Sequence, residues 1–76
     1  MSEPVIQRWD RVIHKNVRSK DRFDIGNVIS ESGEIFTVMQ GAKTEYNIPK
    51  SAVEAFDGSE LYLSIPFSEV VRYKVA

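Results

Sequence analysis

The chain has 76 residues, a net charge of −1 at pH 7 and a pI of about 5.7. This length allows one small domain, and 42% hydrophobic residues is too apolar a composition for a disordered tail. No apolar run approaches the roughly 18–20 residues of a membrane-spanning helix. The opening Met-Ser-Glu-Pro lacks the basic and apolar regions of a signal peptide. We therefore expect neither a transmembrane protein nor a cleaved leader.

Cysteine is absent and histidine occurs once, as His14. The absence of cysteine excludes disulfides and thiolate ligands and is typical of a reducing compartment, so we expect a cytoplasmic protein. A single histidine does not build a transition-metal site, and we expect no metal and no cofactor. A domain this small, with neither disulfide nor metal, is marginally stable alone, which favours a dimer or another protein partner.

The charge is unevenly distributed along the chain. Residues 1–25 carry six basic and four acidic side chains, a net +2, whereas residues 26–76 carry four basic and seven acidic ones, a net −3. Two interpretations stay open. The basic part attracts an acidic partner, or its charges form an ordinary solvated surface.

The first apolar segment spans residues 4–13, PVIQRWDRVI. Its apolar residues recur at helical spacings and predict a short helix, whereas its β-branched residues favour an extended arm. We expect residues 1–13 to form this arm or helix ahead of a domain over residues 14–76. Trp9 either closes one end of the core or anchors a protein interface.

Short strands separated by turns follow from His14 onward. Five strands are predicted, over residues 15–19, 23–30, 34–40, 44–48 and 61–65. Gly26 indicates a bulge or bend that curls a sheet. Pro49 ends the fourth strand because it cannot donate to a ladder, and Asp57-Gly58 predicts the turn before the fifth strand.

The strand over residues 34–40 is apolar on both faces, because Phe36 and Val38 alternate with Ile35 and Met39. This pattern favours a central strand, or one whose outer face contacts another protein. Two helical turns are also predicted. Ser51 and Glu54 form a capping-box pattern that predicts one over residues 51–56, and a second is predicted over residues 67–73 with Ser68 as its cap.

These elements predict an all-β fold, a small antiparallel β-barrel of five to six strands with one short helical turn. The predicted core is made of the inward-facing apolar residues of the strands: Val17, Ile25, Val28, Phe36, Val38, Ile48, Val53, Leu61, Leu63 and Ile65.

Three segments resemble the PRC-barrel domain family. Ser19-Lys-Asp21 followed by Ile25-Gly-Asn-Val28 resembles the family's opening S-x-D-G…G-x-V. Residues 46–53, YNIPKSAV, resemble its Y-x-I-P-x-x-x-V segment, and Asp57-Gly58 with Leu61-Tyr-Leu63 resembles its closing turn and strand. The resemblance covers residues 17–73. The family has glycine where this chain has Arg22, so we expect the first turn to differ in type.

The resemblance implies a binding module without catalytic residues. PRC-barrel domains occur in the photosynthetic reaction-centre H subunit and in a small-subunit maturation factor that binds a ribosomal protein. That factor carries a second domain ahead of the barrel; we expect none here, which argues against rRNA processing. Short stand-alone archaeal-type members join one another and the membrane-anchored adaptor of the tubulin-like division ring. We therefore expect a cytoplasmic, non-catalytic cell-division adaptor, recruited to the division site through a partner.

The expected partner is a similar barrel, in a homo- or heterodimer, and the membrane is reached only indirectly. Small-molecule substrates are not expected. The candidate partner-binding residues are Trp9, Ile35, Met39, Phe67, Val70, Val71 and Tyr73. The C-terminal members of this set could instead plug one end of the barrel. The residues with predicted structural roles are Gly26, Pro49, Ser51, Asp57 and Gly58.

Two other functions have some support in the sequence. The alternative is an RNA-binding or ribosome-maturation accessory factor, whose phosphate contacts would come from Arg8, Arg11, Lys15, Arg18, Lys20 and Arg22. A pI of about 5.7 argues against it, since nucleic-acid-binding domains tend to have a pI above about 9. Asp10 and His14 suggest an acid–base pair, but no phosphate loop, metal spacing or nucleophile elbow accompanies them, so we expect no enzyme.

Overall fold

The computed structural model describes residues 8–75; the part of the predicted arm in residues 1–7 lies outside this range. The described residues form six strands: β1 (Asn16–Arg18), β2 (Asp24–Ser32), β3 (Ile35–Gln40), β4 (Thr44–Pro49), β5 (Val53–Phe56) and β6 (Glu60–Leu63). The helical elements are short: α1 (Phe67–Val70) and 3-10 helices at Trp9–Arg11, Lys50–Ala52 and Val71–Tyr73.

The six strands form one sheet in the order β4-β3-β2-β1-β6-β5. The all-β class is confirmed. The prediction of a purely antiparallel sheet is wrong at one place, because β1 and β6 run parallel, with Val17 opposite Leu61. The strands at the two ends of the order, β4 and β5, do not pair with each other among the described residues. Backbone hydrogen bonds therefore leave the sheet open.

Strands β2, β3 and β4 form two successive hairpins that follow the predicted pattern. The predicted bounds differ from the observed ones by one or two residues. Gly33 and Gly41 lie in the two turns with φ of 57° and 66°, a left-handed conformation that glycine adopts without strain. Pro49 is the last residue of β4, opposite Ile35.

A bulge lies where β1 pairs with β2. The register shifts between Val17 and Arg18, which oppose Gly26 and Asp24. Gly26 has φ of 115°, and a Cβ there would lie 2.2 Å from the backbone oxygen of Met39. The predicted bulge is thus confirmed. Because it changes the alternation of side chains along β2, both Ile25 and Val28 face the core.

The predicted helical turn over residues 51–56 is wrong. Its first residues belong to the 3-10 helix Lys50–Ala52, which has no side-chain cap, and the remainder is strand β5. Ser51 lies inside this 3-10 helix and therefore does not cap it. Val53 is extended because this conformation buries its side chain in the core while β5 pairs with β6.

The second predicted helical turn, over residues 67–73, is confirmed as α1 followed by a 3-10 helix. Its predicted cap is wrong, because α1 begins directly after Pro66 and no side chain caps it. Strand β6 ends at Leu63, two residues before the predicted end of the last strand.

The core contains nine of the ten residues predicted for it. Ile65 is the exception: it is half-buried and packs against the core from outside. Four further apolar residues outside the predicted core are buried: Val12, Tyr46, Ala52 and Val70. Val12 is fully buried, so the described part of the N-terminal segment shares one core with the sheet.

Candidate functional site

The turn between β1 and β2 is held by hydrogen bonds to a buried serine. The Ser19 side chain is almost fully buried, and its hydroxyl donates to the carboxylate of Asp21. The same hydroxyl oxygen accepts from the Phe23 amide at 3.1 Å. The Asp21 carboxylate also accepts from the Phe67 amide at 3.1 Å, at the start of α1. These bonds fix the turn to α1, and the bond to Ser19, above all, lowers the pKa of Asp21.

The turn presents two neighbouring side chains, and each lies against an aromatic ring. Phe23 is 56% exposed, and its ring centroid lies 5.5 Å from that of Phe67. The Arg22 guanidinium lies 5.6 Å from the centroid of Tyr62, a distance at which cation–π attraction acts. We call Arg22, Phe23, Tyr62 and Phe67 the aromatic platform.

The backbone at Arg22 is strained. Its φ is 73°, in the left-handed region that glycine favours. The Arg22 carbonyl accepts from Arg18 Nη1 at 3.1 Å. A strained residue held by its surroundings is typical of functional sites.

A hydrogen-bonded network lies beside the aromatic platform on β1 and β6. The Glu60 carboxylate accepts from Arg18 Nε at 3.0 Å and from Asn16 Nδ2 at 3.2 Å. The bond from Arg18 makes the largest contribution to lowering the pKa of Glu60. Tyr62 Oη lies 3.1 Å from Glu60 and 3.2 Å from Asp57, and the bond to Glu60 contributes most to raising the pKa of Tyr62. Tyr62 therefore keeps its proton and a fixed orientation.

A shallow groove of about 460 Å³ runs along the aromatic platform. The β1–β2 turn forms one wall and the edge strand β5 forms the other, with β6 between them. Ala55 contributes a small side chain to the β5 wall, which leaves room above the sheet. The lining residues are Ser19, Lys20, Arg22, Glu54, Ala55, Tyr62 and Leu63.

The described residues do not assemble the suggested acid–base pair. The Asp10 carboxylate accepts two hydrogen bonds from the guanidinium of Arg8, both at 3.2 Å, and its pKa is lowered mainly by them. No group of three or more His, Asp or Glu residues that could hold a metal ion occurs within residues 8–75. None of the helices described is long and apolar enough to cross a membrane.

The predicted partner-binding residues do not share one surface. Phe67 belongs to the aromatic platform. Ile35 and Met39 lie on the outer face of β3, and Val71 and Tyr73 are exposed on the C-terminal 3-10 helix. Met39 lines a separate depression with Ala42, Lys43, Glu45 and Val75.

Two of the predicted partner-binding residues lie in or against the core. Val70 is fully buried, so its place in the candidate set is wrong: α1 turns this side chain inward. Trp9 is half-buried, with its ring centroid 5.0 Å from that of Phe36. Lys50 Nζ lies 4.8 Å from the Trp9 ring centroid. Trp9 therefore closes one end of the core.

The predicted partner-binding residues did not include Phe23, Tyr62 or Arg22, and Arg22 was considered only as a phosphate contact. Simple alternation places Phe23 on the same face of β2 as the buried Ile25, and would have put it inside. Phe23 in fact precedes β2 and belongs to the turn. No sequence pattern marks an arginine whose backbone adopts the conformation usual for glycine. None marks a phenylalanine that stays exposed beside a polar turn.

No family model matches the chain, and no curated protein or solved structure does either.

Proposed function

We propose that this protein is a non-catalytic protein–protein interaction module that binds its partner through the aromatic platform. The observation that carries the proposal is an exposed phenylalanine fixed by the hydrogen bonds of Ser19 and Asp21. Burying a phenylalanine side chain contributes about 1.5–3 kcal/mol, and much of this is forgone while Phe23 is 56% exposed. A partner that covers Phe23 recovers it.

The composition and rigidity of the aromatic platform both favour binding of a folded protein. Arginine and aromatic side chains are enriched among the residues that dominate interface energetics. Because the turn is already ordered by its hydrogen bonds, association costs little additional conformational entropy there. The partner we propose is a similar small barrel, in a homo- or heterodimer.

We further propose that the sheet curls into a PRC-barrel-like closed shape. The two strands at the ends of the sheet, β4 and β5, are joined by the three residues of the 3-10 helix Lys50–Ala52, so their connected ends lie close together. The bulge at Gly26 adds curvature. A continuous core contains residues from all six strands.

The cellular process we propose is cell division, in the cytoplasm, with recruitment to the division site through the membrane-anchored adaptor of the division ring. This part rests on the sequence resemblance to the short archaeal-type PRC-barrel proteins. The same barrel serves unrelated roles elsewhere, so the partner has to be identified directly.

One observation favours the alternative of an RNA-binding or ribosome-maturation factor. Lys20 and Arg22 line the groove beside the Tyr62 ring, and neither makes an ion pair within residues 8–75. Binding of this kind weakens steeply with salt, because it releases counterions from phosphates. Burial of Phe23 in a protein interface is far less sensitive to salt.

An affinity pull-down from native lysate tests the proposal. The tagged chain is compared with the Phe23→Ala variant and with Ile29→Ala, a control that truncates another exposed apolar residue away from the aromatic platform. After nuclease treatment and washing at low and high salt, we expect the same partner with the wild type and Ile29→Ala. We expect its loss with Phe23→Ala.

Two outcomes contradict the proposal. Equal recovery with Phe23→Ala excludes the aromatic platform as the interface. Recovery of ribosomal proteins alone, lost after nuclease treatment, supports the RNA-binding alternative instead.

A further inference from the structure

A second groove, separate from the aromatic platform, is lined by two cations. Its volume is about 350 Å³, and its lining residues are Arg11, Lys15, Phe56 and Gly58. Phe56 is half-buried at the end of β5, and Gly58 belongs to the turn before β6. The groove therefore offers positive charge next to part of an aromatic ring.

The backbone of the segment that carries the two cations is held in place. Val12, between them, is fully buried, and its amide donates to Trp9 O at 3.1 Å. The Lys15 amide donates to Val12 O at 3.0 Å, and Lys15 O accepts from the Val28 amide at 3.0 Å. The backbone below both charges is thus fixed against the core, so binding an anion requires ordering of side chains alone.

The carboxylates nearest along the chain do not pair with the two cations. Asp10 binds Arg8 through both oxygens. Asp57, beside Gly58, accepts from the amides of Ser59 and Glu60, both at 2.8 Å, and its pKa is lowered chiefly by these bonds. Among residues 8–75, neither Arg11 nor Lys15 makes an ion pair. The positive charge of this groove is therefore available to an external anion.

We propose that this groove binds a short acidic peptide segment of a partner protein, with carboxylates at Arg11 and Lys15 and an aromatic side chain against Phe56. Carboxylates form charge-assisted hydrogen bonds with both cations, and aromatic pairs add to the apolar contact. This goes beyond the proposed function, because it gives the module a second binding surface that does not involve the aromatic platform.

A peptide fits the groove better than a nucleic acid does. Two cations match a few carboxylates, whereas RNA is a long polyanion that would extend over the rest of a chain with a net charge of −1.

The test is a titration of the isotope-labelled full chain followed by amide NMR. The probe is a blocked peptide of about seven residues, acidic throughout except for one central phenylalanine. The matched control peptide has Asn and Gln in place of Asp and Glu. We expect the acidic peptide to shift the amide signals around Arg11, Lys15, Phe56 and Gly58, and the neutral peptide to shift none of them.

Variants assign the effect to the two cations. We expect Arg11→Gln and Lys15→Gln each to weaken binding about fivefold or more. Lys43→Gln removes the same charge from the separate depression that Lys43 lines, and we expect it to bind like the wild type. Phe23→Ala also binds like the wild type, which distinguishes this groove from the aromatic platform. The spectra themselves report whether each variant is folded.

Any of five results overturns the proposal. The acidic peptide shifts no signals up to about 1 mM, or the shifts map elsewhere on the molecule. The neutral peptide shifts the same signals as the acidic one, or Lys43→Gln weakens binding as much as Arg11→Gln does. An oligouridine probe binds the same residues more tightly than the peptide, which would make the groove a nucleic-acid site.

Discussion

The two halves of the sheet are built differently. Strands β2, β3 and β4, the local half, follow one another in the chain and pair with their sequence neighbours. Strands β1, β6 and β5, the closing half, depend on a parallel pairing in which Asn16 lies opposite Glu60, 44 residues away. Closing so long a loop costs chain entropy before any contact forms. Hairpin geometry specifies the local half, and burial of a shared core specifies the closing half.

The largest effect is expected at Gly26, where the halves meet. Gly26→Ala places a Cβ 2.2 Å from Met39 O in a left-handed conformation, so we expect a loss of about 3 kcal/mol or more in unfolding free energy. Gly33→Ala, in a hairpin turn of the local half, has open space around its Cβ and should cost about 1 kcal/mol. Urea unfolding measures both; equal losses would contradict the close packing of β3 against the bulge.

Folding kinetics test the order in which the halves form. Val38→Ala in β3 and Leu63→Ala in β6 both create cavities in the buried core and should each cost about 2–4 kcal/mol. If the local half forms first, Val38→Ala mainly slows folding and Leu63→Ala mainly speeds unfolding. Stopped-flow measurements over a range of denaturant separate the two rates. Slower folding with Leu63→Ala than with Val38→Ala would reverse the order.

Acidification should weaken the closing half through Glu60. Because Arg18 holds the folded-state pKa of Glu60 below its ordinary value of 4.5, this carboxylate contributes stability above that value. The contribution is lost as the pH falls through the folded-state pKa. We expect Glu60→Gln to lose less stability than the wild type between about pH 5 and pH 3.

Glu54→Gln is the matched control for this pH dependence. Glu54 lies in the neighbouring strand β5 and makes neither an ion pair nor a side-chain hydrogen bond with residues 8–75. Thermal unfolding across the same pH range should show the wild-type slope for this variant. If Glu60→Gln also shows the wild-type dependence of stability on pH, the Arg18–Glu60 pair does not cause the acid sensitivity.

The smallest effect is expected where the linker between β4 and β5 meets the local half. Lys50 Nζ lies 2.6 Å from the Glu31 carboxylate at a partly exposed site. Glu31→Gln should cost about 0.5 kcal/mol, and Glu69→Gln, which breaks the more exposed pair with Arg72, should cost less. Chemical denaturation in low salt measures both losses. A larger loss of unfolding free energy for Glu31→Gln than for Gly33→Ala would show that the Lys50–Glu31 contact joins the halves more tightly than an ordinary surface pair.

The sequence predicted the local half well because its signals are local. Alternation identified the inward positions of β3, and glycines marked the turns and the bulge. The residues around Val53 show the opposite case: the S-x-x-E pattern favoured a helix, but burial of Val53 and pairing with β6 made a strand. Of the aromatic platform, only Phe67 was predicted as a partner-binding residue, because the exposure of Phe23 and the position of Arg22 over Tyr62 arise from contacts between distant segments.

The sequence by itself determined the β class, the hairpins of the local half and nearly all of the core, since alternation and turn chemistry act between neighbouring residues. The tertiary structure decided the parallel pairing of β1 with β6, the inward position of Val70 and the exposed position of Phe23. These depend on which distant segments share the core and on hydrogen bonds such as that from the Phe67 amide to Asp21. Such contacts form only when distant segments of the chain come together, and local sequence patterns do not encode which segments meet.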